Sequence, residues 1–198
     1  MDRLAAEKAA LRRSILARRD AIPAASRAEL SARITTHILA LPGFSSASAV
    51  LAYLSFGSEY DTTRLVRATL AQGKRLILPR VDRANRRLGL FQVVDPETQT
   101  VAGTWGIREP VPERCTPVVR EAAALVLVPG VAFTLHGARL GYGGGFYDRL
   151  LAHWRERPPL IAPAFGLQVI EHLPTSPADV TIDAVVTEDG LRTVEPET

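Results

Sequence analysis

Cys115 is the chain's single cysteine in 198 residues. That excludes an internal disulfide and a cysteine metal cluster, and it suits a reducing, cytoplasmic compartment. Lysine is almost as scarce. Lys8 and Lys74 are the two, so arginine supplies nearly all of the 24 basic residues, which face 21 acidic ones. No Lys/Arg run reaches five, and no basic stripe is interleaved with aromatics as a nucleic-acid stacking platform requires. Long apolar runs are missing too. The longest, 122–128 continuing past Pro129 and Gly130 to Phe133, falls well short of the roughly 20 residues of a membrane span. The segment 2–19 alternates charge with alanine and lacks an uninterrupted apolar core, so it does not read as a secretory leader. No internal repeat or low-complexity block occurs.

What remains is ordinary globular composition, 46% apolar and 23% charged, in a length that fits one domain spanning 1–198. The basic balance, with a pI near 9.4, leaves phosphate-bearing small ligands as the class to look for. The expected partners are small molecules, with no nucleic acid and no membrane, and the expected state is a monomer.

Residues 3–19 read as a helix. At about 100° per residue, Leu4, Lys8, Leu11, Arg12, Ile15 and Arg19 share one stripe. Basic side chains thus lie on the apolar face, either snorkelling past a buried edge or pointing inward at an anion. Ser26 and Glu29 make an S-x-x-E pattern that predicts a second helix starting at Ser26, stopped by Pro42-Gly43. Residues 49–54 read as a strand, 61–70 as a helix closed by Gly73, and 75–78 as a short strand ended by Pro79. Residues 88–94 are strand-like, suited to a hairpin. The stretch 95–120 shows no period and is expected to be a long irregular segment. A buried strand at 124–128 is followed by a glycine-rich loop at 129–145 and a helix at 146–156. Two further strands fall at 160–165 and 182–187. Strands alternating with helices predict an α/β domain, three layers with a largely parallel sheet.

The loop reads Arg139-Leu140-Gly141-Tyr142-Gly143-Gly144-Gly145-Phe146-Tyr147-Asp148. Four glycines in five positions cost backbone entropy unless the chain must take positive φ or approach something closely. Between a strand and a helix that something is usually an anion, and Arg139 adds a donor fork. No lysine follows in the Walker A position, and Phe146 or Asp148 stands where a dinucleotide fingerprint needs its third glycine. Both standard phosphate motifs fail.

The run Val128-Pro129-Gly130-Val131-Ala132-Phe133, then Gly137 and the 139–148 loop, resembles the signature of the 5-formyltetrahydrofolate cyclo-ligase family. The likeness extends to Lys8 with Leu11-Arg12, to Leu54-Ser55-Phe56 with Glu59, Asp61 and Thr62, and to Pro79-Arg80. It continues through Trp105-Gly106-Ile107 with Glu109-Pro110, Ala164-Phe165 with Gln168, and Asp179, Asp183 and 185–188. Thr134 stands where many members have aspartate, and Gly144 where some have lysine.

The resemblance implies a fold related to the ribose-phosphate isomerase and CoA-transferase group. It implies ATP-dependent cyclisation of 5-formyltetrahydrofolate to 5,10-methenyltetrahydrofolate through an N5-iminium phosphate, with ADP and phosphate released. ATP would be held by Lys8, Arg12, Arg139, Leu140, Gly141, Tyr142, Gly143, Gly144, Gly145, Phe146 and Tyr147. Folate would lie near Phe56, Glu59, Trp105, Phe146 and Tyr147. Mg²⁺ would lie near Asp148 and Asp183, and Arg139 and Tyr147 are the expected catalytic residues. Two alternatives stay open on sequence alone: a sugar-phosphate isomerase or acyl-CoA transferase on the same fold, and a basic RNA-binding module.

Overall fold

The computed structural model describes residues 3–103, 106–152, 154 and 156–194. Helices α1 (Arg3–Asp20) and α2 (Ala24–Leu39) are followed by a short α3 (Pro42–Ser46) and by β1 (Ala49–Leu51). Helix α4 (Thr63–Ala71) leads to β2 (Arg75–Asp82), which forms a hairpin with β3 (Arg87–Val93). Then come α5 (Pro96–Gln99), the paired β4 (Thr100–Ala102) and β5 (Arg108–Pro110), and β6 (Thr116–Val118). Strand β7 (Leu125–Leu127) precedes a second small hairpin, β8 (Ala132–Phe133) with β9 (Arg139–Leu140), and α6 (Phe146–Leu151). Strands β10 (Leu160–Pro163), β11 (Ala184–Thr187) and β12 (Gly190–Thr193) complete the order.

Eight of these strands form one sheet, ordered β12-β11-β10-β7-β1-β2-β3-β6. The central run from β11 to β2 is parallel, while β12, β3 and β6 pair antiparallel at the edges. Strands buried on both faces should be apolar throughout, and β1 and β7 read Ala-Val-Leu and Leu-Val-Leu without an exposed position. Their alternate residues serve opposite layers. Val50, Leu76, Leu125 and Ile161 pack on α2, α3 and α4 through Ile34, Ile38, Phe44 and Leu65. Leu51, Ile77, Val126 and Ala162 face the other way, toward Leu151 of α6 and Trp154. The expected three-layer α/β arrangement is therefore present. Helix α1 lies off this sandwich. Its Leu11, Ile15 and Leu16 pack on Val131, Ala132 and Leu140 of the β8–β9 hairpin. Among the described residues no helix is long and apolar enough to cross a membrane.

Several boundaries differ from the sequence expectation. Helix α2 starts two residues before Ser26, with Pro23 at the N-cap and no side-chain cap, so the Ser26–Glu29 box does not form. Pro23 presets the entry, Arg27 N–H donates to Pro23 O at 2.9 Å, and two alanines carry the helix upstream. Ser26→Ala should therefore leave thermal stability within about 0.5 kcal/mol of the parent, where a true cap would cost about 1; a melting curve decides. Helix α2 ends at Leu39, and Pro42 opens a further turn at a first position where its missing N–H has no cost.

Pro79 does not end its strand either. It sits inside β2 opposite Leu90. Ala52 N–H donates to Ile77 O, so the residues of Ile77's parity face β1, and β1 has already stopped where Pro79's missing donor would point. The 95–120 stretch holds short regular pieces, including the β4–β5 pair, and β6 joins the sheet edge. Likewise the 129–145 loop contains the β8–β9 hairpin, and α6 ends at Leu151 instead of residue 156.

Candidate active site

In an open parallel sheet, ligands gather beyond the carboxyl ends of the strands. A cavity of about 820 Å³ opens there, lined by Tyr53 and Leu54 after β1, by Pro79 and Val81 of β2, and by Pro129 after β7. The volume lies in the range of small-molecule sites. All the described residues assigned by sequence to nucleotide or folate, together with Asp148, line this one cavity. Trp105 lies outside the described residues.

One wall is cationic and rich in backbone donors. No amide from Tyr142 to Gly145 donates a hydrogen bond to another described residue, which leaves a row of N–H groups suited to an anion. Gly143 has φ +101°, a conformation that side-chain-bearing residues rarely adopt, and it brings the loop against the Arg12 guanidinium. Arg12 reaches in from α1 and its Nε donates to Gly141 O at 2.7 Å. Burial draws its pKa down from the ordinary value. Arg139 is buried, with Nη2 on Asp148 Oδ1 at 2.5 Å and Nη1 on Pro129 O at 3.3 Å. Lys8 Nζ meets Asp179 Oδ2 at 2.5 Å. Burial of Asp179 opposes its ionisation, yet the Lys8 ammonium and the Ser176 N–H hold its pKa below the usual range. The basic stripe of α1 therefore points inward; Lys8 and Arg12 do not merely snorkel.

The other wall is built around Glu59, in the loop after β1. Its carboxylate is buried and accepts from Tyr142 Oη at 2.6 Å and from Phe56 N–H at 3.1 Å. Burial raises its pKa, and these two donors with the Arg19 charge work against the rise. The Phe56 and Tyr142 rings sit 5.3 Å apart and tilted by 47°, giving an apolar surface beside the carboxylate. Between the walls, the Tyr147 hydroxyl and Arg139 Nε are buried and find no partner among the described residues. Leaving such atoms unpaired costs about 1–3 kcal/mol each. Burial, then the Glu59 charge, push the Tyr147 phenol pKa upward, so it stays a neutral donor.

Anion donors, a buried acceptor and two aromatic rings thus line one cavity. The model of the 5-formyltetrahydrofolate cyclo-ligase family matches residues 4–188. The chain belongs to this family. The cyclo-ligase of Escherichia coli strain K12 is 32% identical over 171 residues, covering 86% of this chain and 94% of that protein. The cyclo-ligase of Mycolicibacterium smegmatis is 33% identical over 182 residues, covering 91% and 93%. The solved 5,10-methenyltetrahydrofolate synthetase of Aquifex aeolicus superposes with a TM-score of 0.83 at 34% identity, over 96% of this chain and 94% of that one.

Set against the cyclo-ligase expectations, Asp183 is the residue that the cavity does not include. It stands just before β11, at the entering end of a parallel strand and so away from the carboxyl-end cleft. There Arg157 donates to its Oδ1 and Leu160 N–H to Oδ2. The carboxylate that this segment does bring to the cleft is Asp179. Among the described residues no three potential metal ligands cluster. Asp148 alone beside the anion wall fits a Mg²⁺ that takes most of its oxygens from phosphate and water, as this ion commonly does. Arg19 and Ser58 were not singled out by sequence as site residues. Arg19 nevertheless shares the α1 stripe with Lys8 and Arg12, and that periodicity was the available signal.

Proposed function

We propose that this chain is a 5-formyltetrahydrofolate cyclo-ligase that uses ATP to close its substrate into 5,10-methenyltetrahydrofolate, releasing ADP and phosphate. The observation that carries the reading is the single cavity joining the unbonded amides of 142–145 to the Glu59 pocket. The folate substrate carries a formamide whose oxygen is a poor leaving group. Its attack on the γ-phosphorus of ATP forms an O–P bond, breaks the bond to the β–γ bridging oxygen and expels ADP. N10 then bonds to the activated carbon and gives up its proton, the C–O bond breaks, and inorganic phosphate departs with the former formyl oxygen and that proton.

Such chemistry needs alignment and charge neutralisation more than a protein nucleophile. Lys8, Arg12, Arg139 and the loop amides orient the triphosphate, with Arg139 and Lys8 exchanging their carboxylates for phosphate oxygens. Glu59 accepts from the pterin N–H groups, Phe56 and Tyr142 flank the ring, and Tyr147 supplies its neutral hydroxyl at the reacting end. Asp148 would hold Mg²⁺, which neutralises phosphate charge when it arrives with the nucleotide. The three-layer architecture is read as related to the ribose-phosphate isomerase and CoA-transferase group, on its parallel core and carboxyl-end cleft.

The test is the absorbance of the methenyl product. It is expected to rise when protein, MgATP and 5-formyltetrahydrofolate are all present and to stay flat when any one is left out. A flat trace from folded protein with all three overturns the reading.

A further inference from the structure

Arg19 is the last-turn residue of α1 and is 3% exposed. Burying a guanidinium without a carboxylate at contact distance is costly, and no salt bridge to Arg19 exists among the described residues. Its Nε donates to Ser58 Oγ at 3.0 Å, and Ser58 in turn donates to Asp20. Its Cζ lies 5.9 Å from the Tyr142 ring centre, within cation–π range. Tyr142 is the residue whose hydroxyl binds Glu59, which lies next in sequence to Ser58. A buried cation is thus fastened to both neighbours of a buried carboxylate.

We propose that Arg19 is a positioning residue for the substrate end of the cleft: held by Ser58 and Tyr142, it keeps Glu59 ionised and aimed as a hydrogen-bond acceptor. The inference rests on the assignment of Glu59 to the folate substrate made above. The groups facing Glu59 are Arg19 from α1, Tyr53 after β1, and Tyr142 and Tyr147 from the loop and α6. The phenols remain neutral, their pKa values raised chiefly by burial. Arg19 is therefore the one charge that joins the Tyr142 and Phe56 hydrogen bonds in opposing the desolvation of the carboxylate. An ionised Glu59 can only accept, which suits the N–H edge of a pterin; a protonated one would present a donor there.

The sign follows directly. Removing the cation raises the Glu59 pKa, so the acid limb of kcat/KM for 5-formyltetrahydrofolate moves to higher pH. Arg19→Gln is expected to move it upward, and Arg19→Lys, which keeps the charge, by much less. The ATP-dependent part of the initial rate is measured from pH 5 to 9 at saturating MgATP. The KM for ATP should hardly change.

A limb that stays in place in folded Arg19→Gln, with both KM values rising together, overturns the proposal in favour of a purely structural arginine. Should that variant not fold, Ser58→Ala releases the anchor and is expected to give a smaller shift of the same sign; no shift overturns it equally. Carboxyl ¹³C NMR of Glu59 in the parent and the variants reads the same shift without turnover. A parent enzyme that fails to cyclise 5-formyltetrahydrofolate would therefore sink the functional reading while leaving this test intact.

Discussion

Arg139→Ala should lower kcat/KM by at least about 10²–10³-fold, the loss typical of removing a preorganised charge-stabilising donor. Three links lead to that figure. Arg139 sits on β9, where α1 and the hairpin pack it under the glycine loop, and its side chain is only 3% exposed. It is the guanidinium at the mouth of the amide row, with a buried Nε still without a partner. It also neutralises Asp148, whose carboxylate is mostly buried at 24% exposure. Truncation leaves that carboxylate uncompensated, at a cost near the low end of the 3–5 kcal/mol for a broken buried pair, or about 3. In a chain of this size that lowers Tm by about 6–12 °C. Arg139→Lys separates the two effects. It restores a charge for Asp148 but not the planar fork, so much of the stability should return while most of the activity does not. An Arg139→Ala protein that keeps near-parental turnover would remove Arg139 from the phosphate wall.

The second large effect is expected at Gly130, which touches no ligand surface in the cavity. A Cβ placed there would stand 2.6 Å from Phe133 Cζ and 3.2 Å from Arg139 Cγ. Phe133 is fully buried in the same apolar cluster as Val128, Leu160 and Ile182, so it can give way little. Overpacking of this kind costs about 1–3 kcal/mol, hence roughly 2–12 °C in Tm. Because the second neighbour is Arg139, the strain should also displace the guanidinium, and small misplacements of a positioning group can cost about 10²-fold in rate. Gly130→Ala is therefore predicted to lose activity below its melting transition. A variant with normal kcat/KM and a depressed Tm would show that the Phe133 side alone absorbs the strain.

Much of the layer plan was legible in the sequence because it depends on local period. The helix at 3–19 and the buried strands near 49–54, 75–78 and 124–128 stand close to where apolar spacing put them. Some of the failures come from strand partners outside the local pattern, and one, at Ser26, from a nearby residue. Pro79 looked like a strand end, yet β3 pairs on one side of it and β1 stops short on the other. The Ser26 box looked like a helix start, yet Pro23 supplied an earlier one. The β12 strand has no strong pattern of its own and exists through its pairing with β11. On sequence Asp183 was a carboxylate expected near Mg²⁺, and Asp179 was given no role. Asp183 is taken up by Arg157 and the Leu160 N–H, whereas Asp179 meets Lys8 of α1 in the cleft.

By itself, the sequence determined the chemistry available: a glycine loop flanked by arginine, a basic stripe on an amphipathic helix, and no cysteine or lysine motif for other routes. Spacing along one helix or one loop is enough to reveal such features, since neighbours in sequence are neighbours in space. Tertiary structure alone decided how these parts meet. It laid α1 across the β8–β9 hairpin so that Arg12 reaches Gly141, 129 residues away, and it set Tyr142 against Glu59 across 83 residues. It also buried Arg19 beside that pair, where desolvation makes one charge control another. Contacts of that separation, and the low dielectric that gives them force, arise only when the sheet has closed and its carboxyl ends share one cavity.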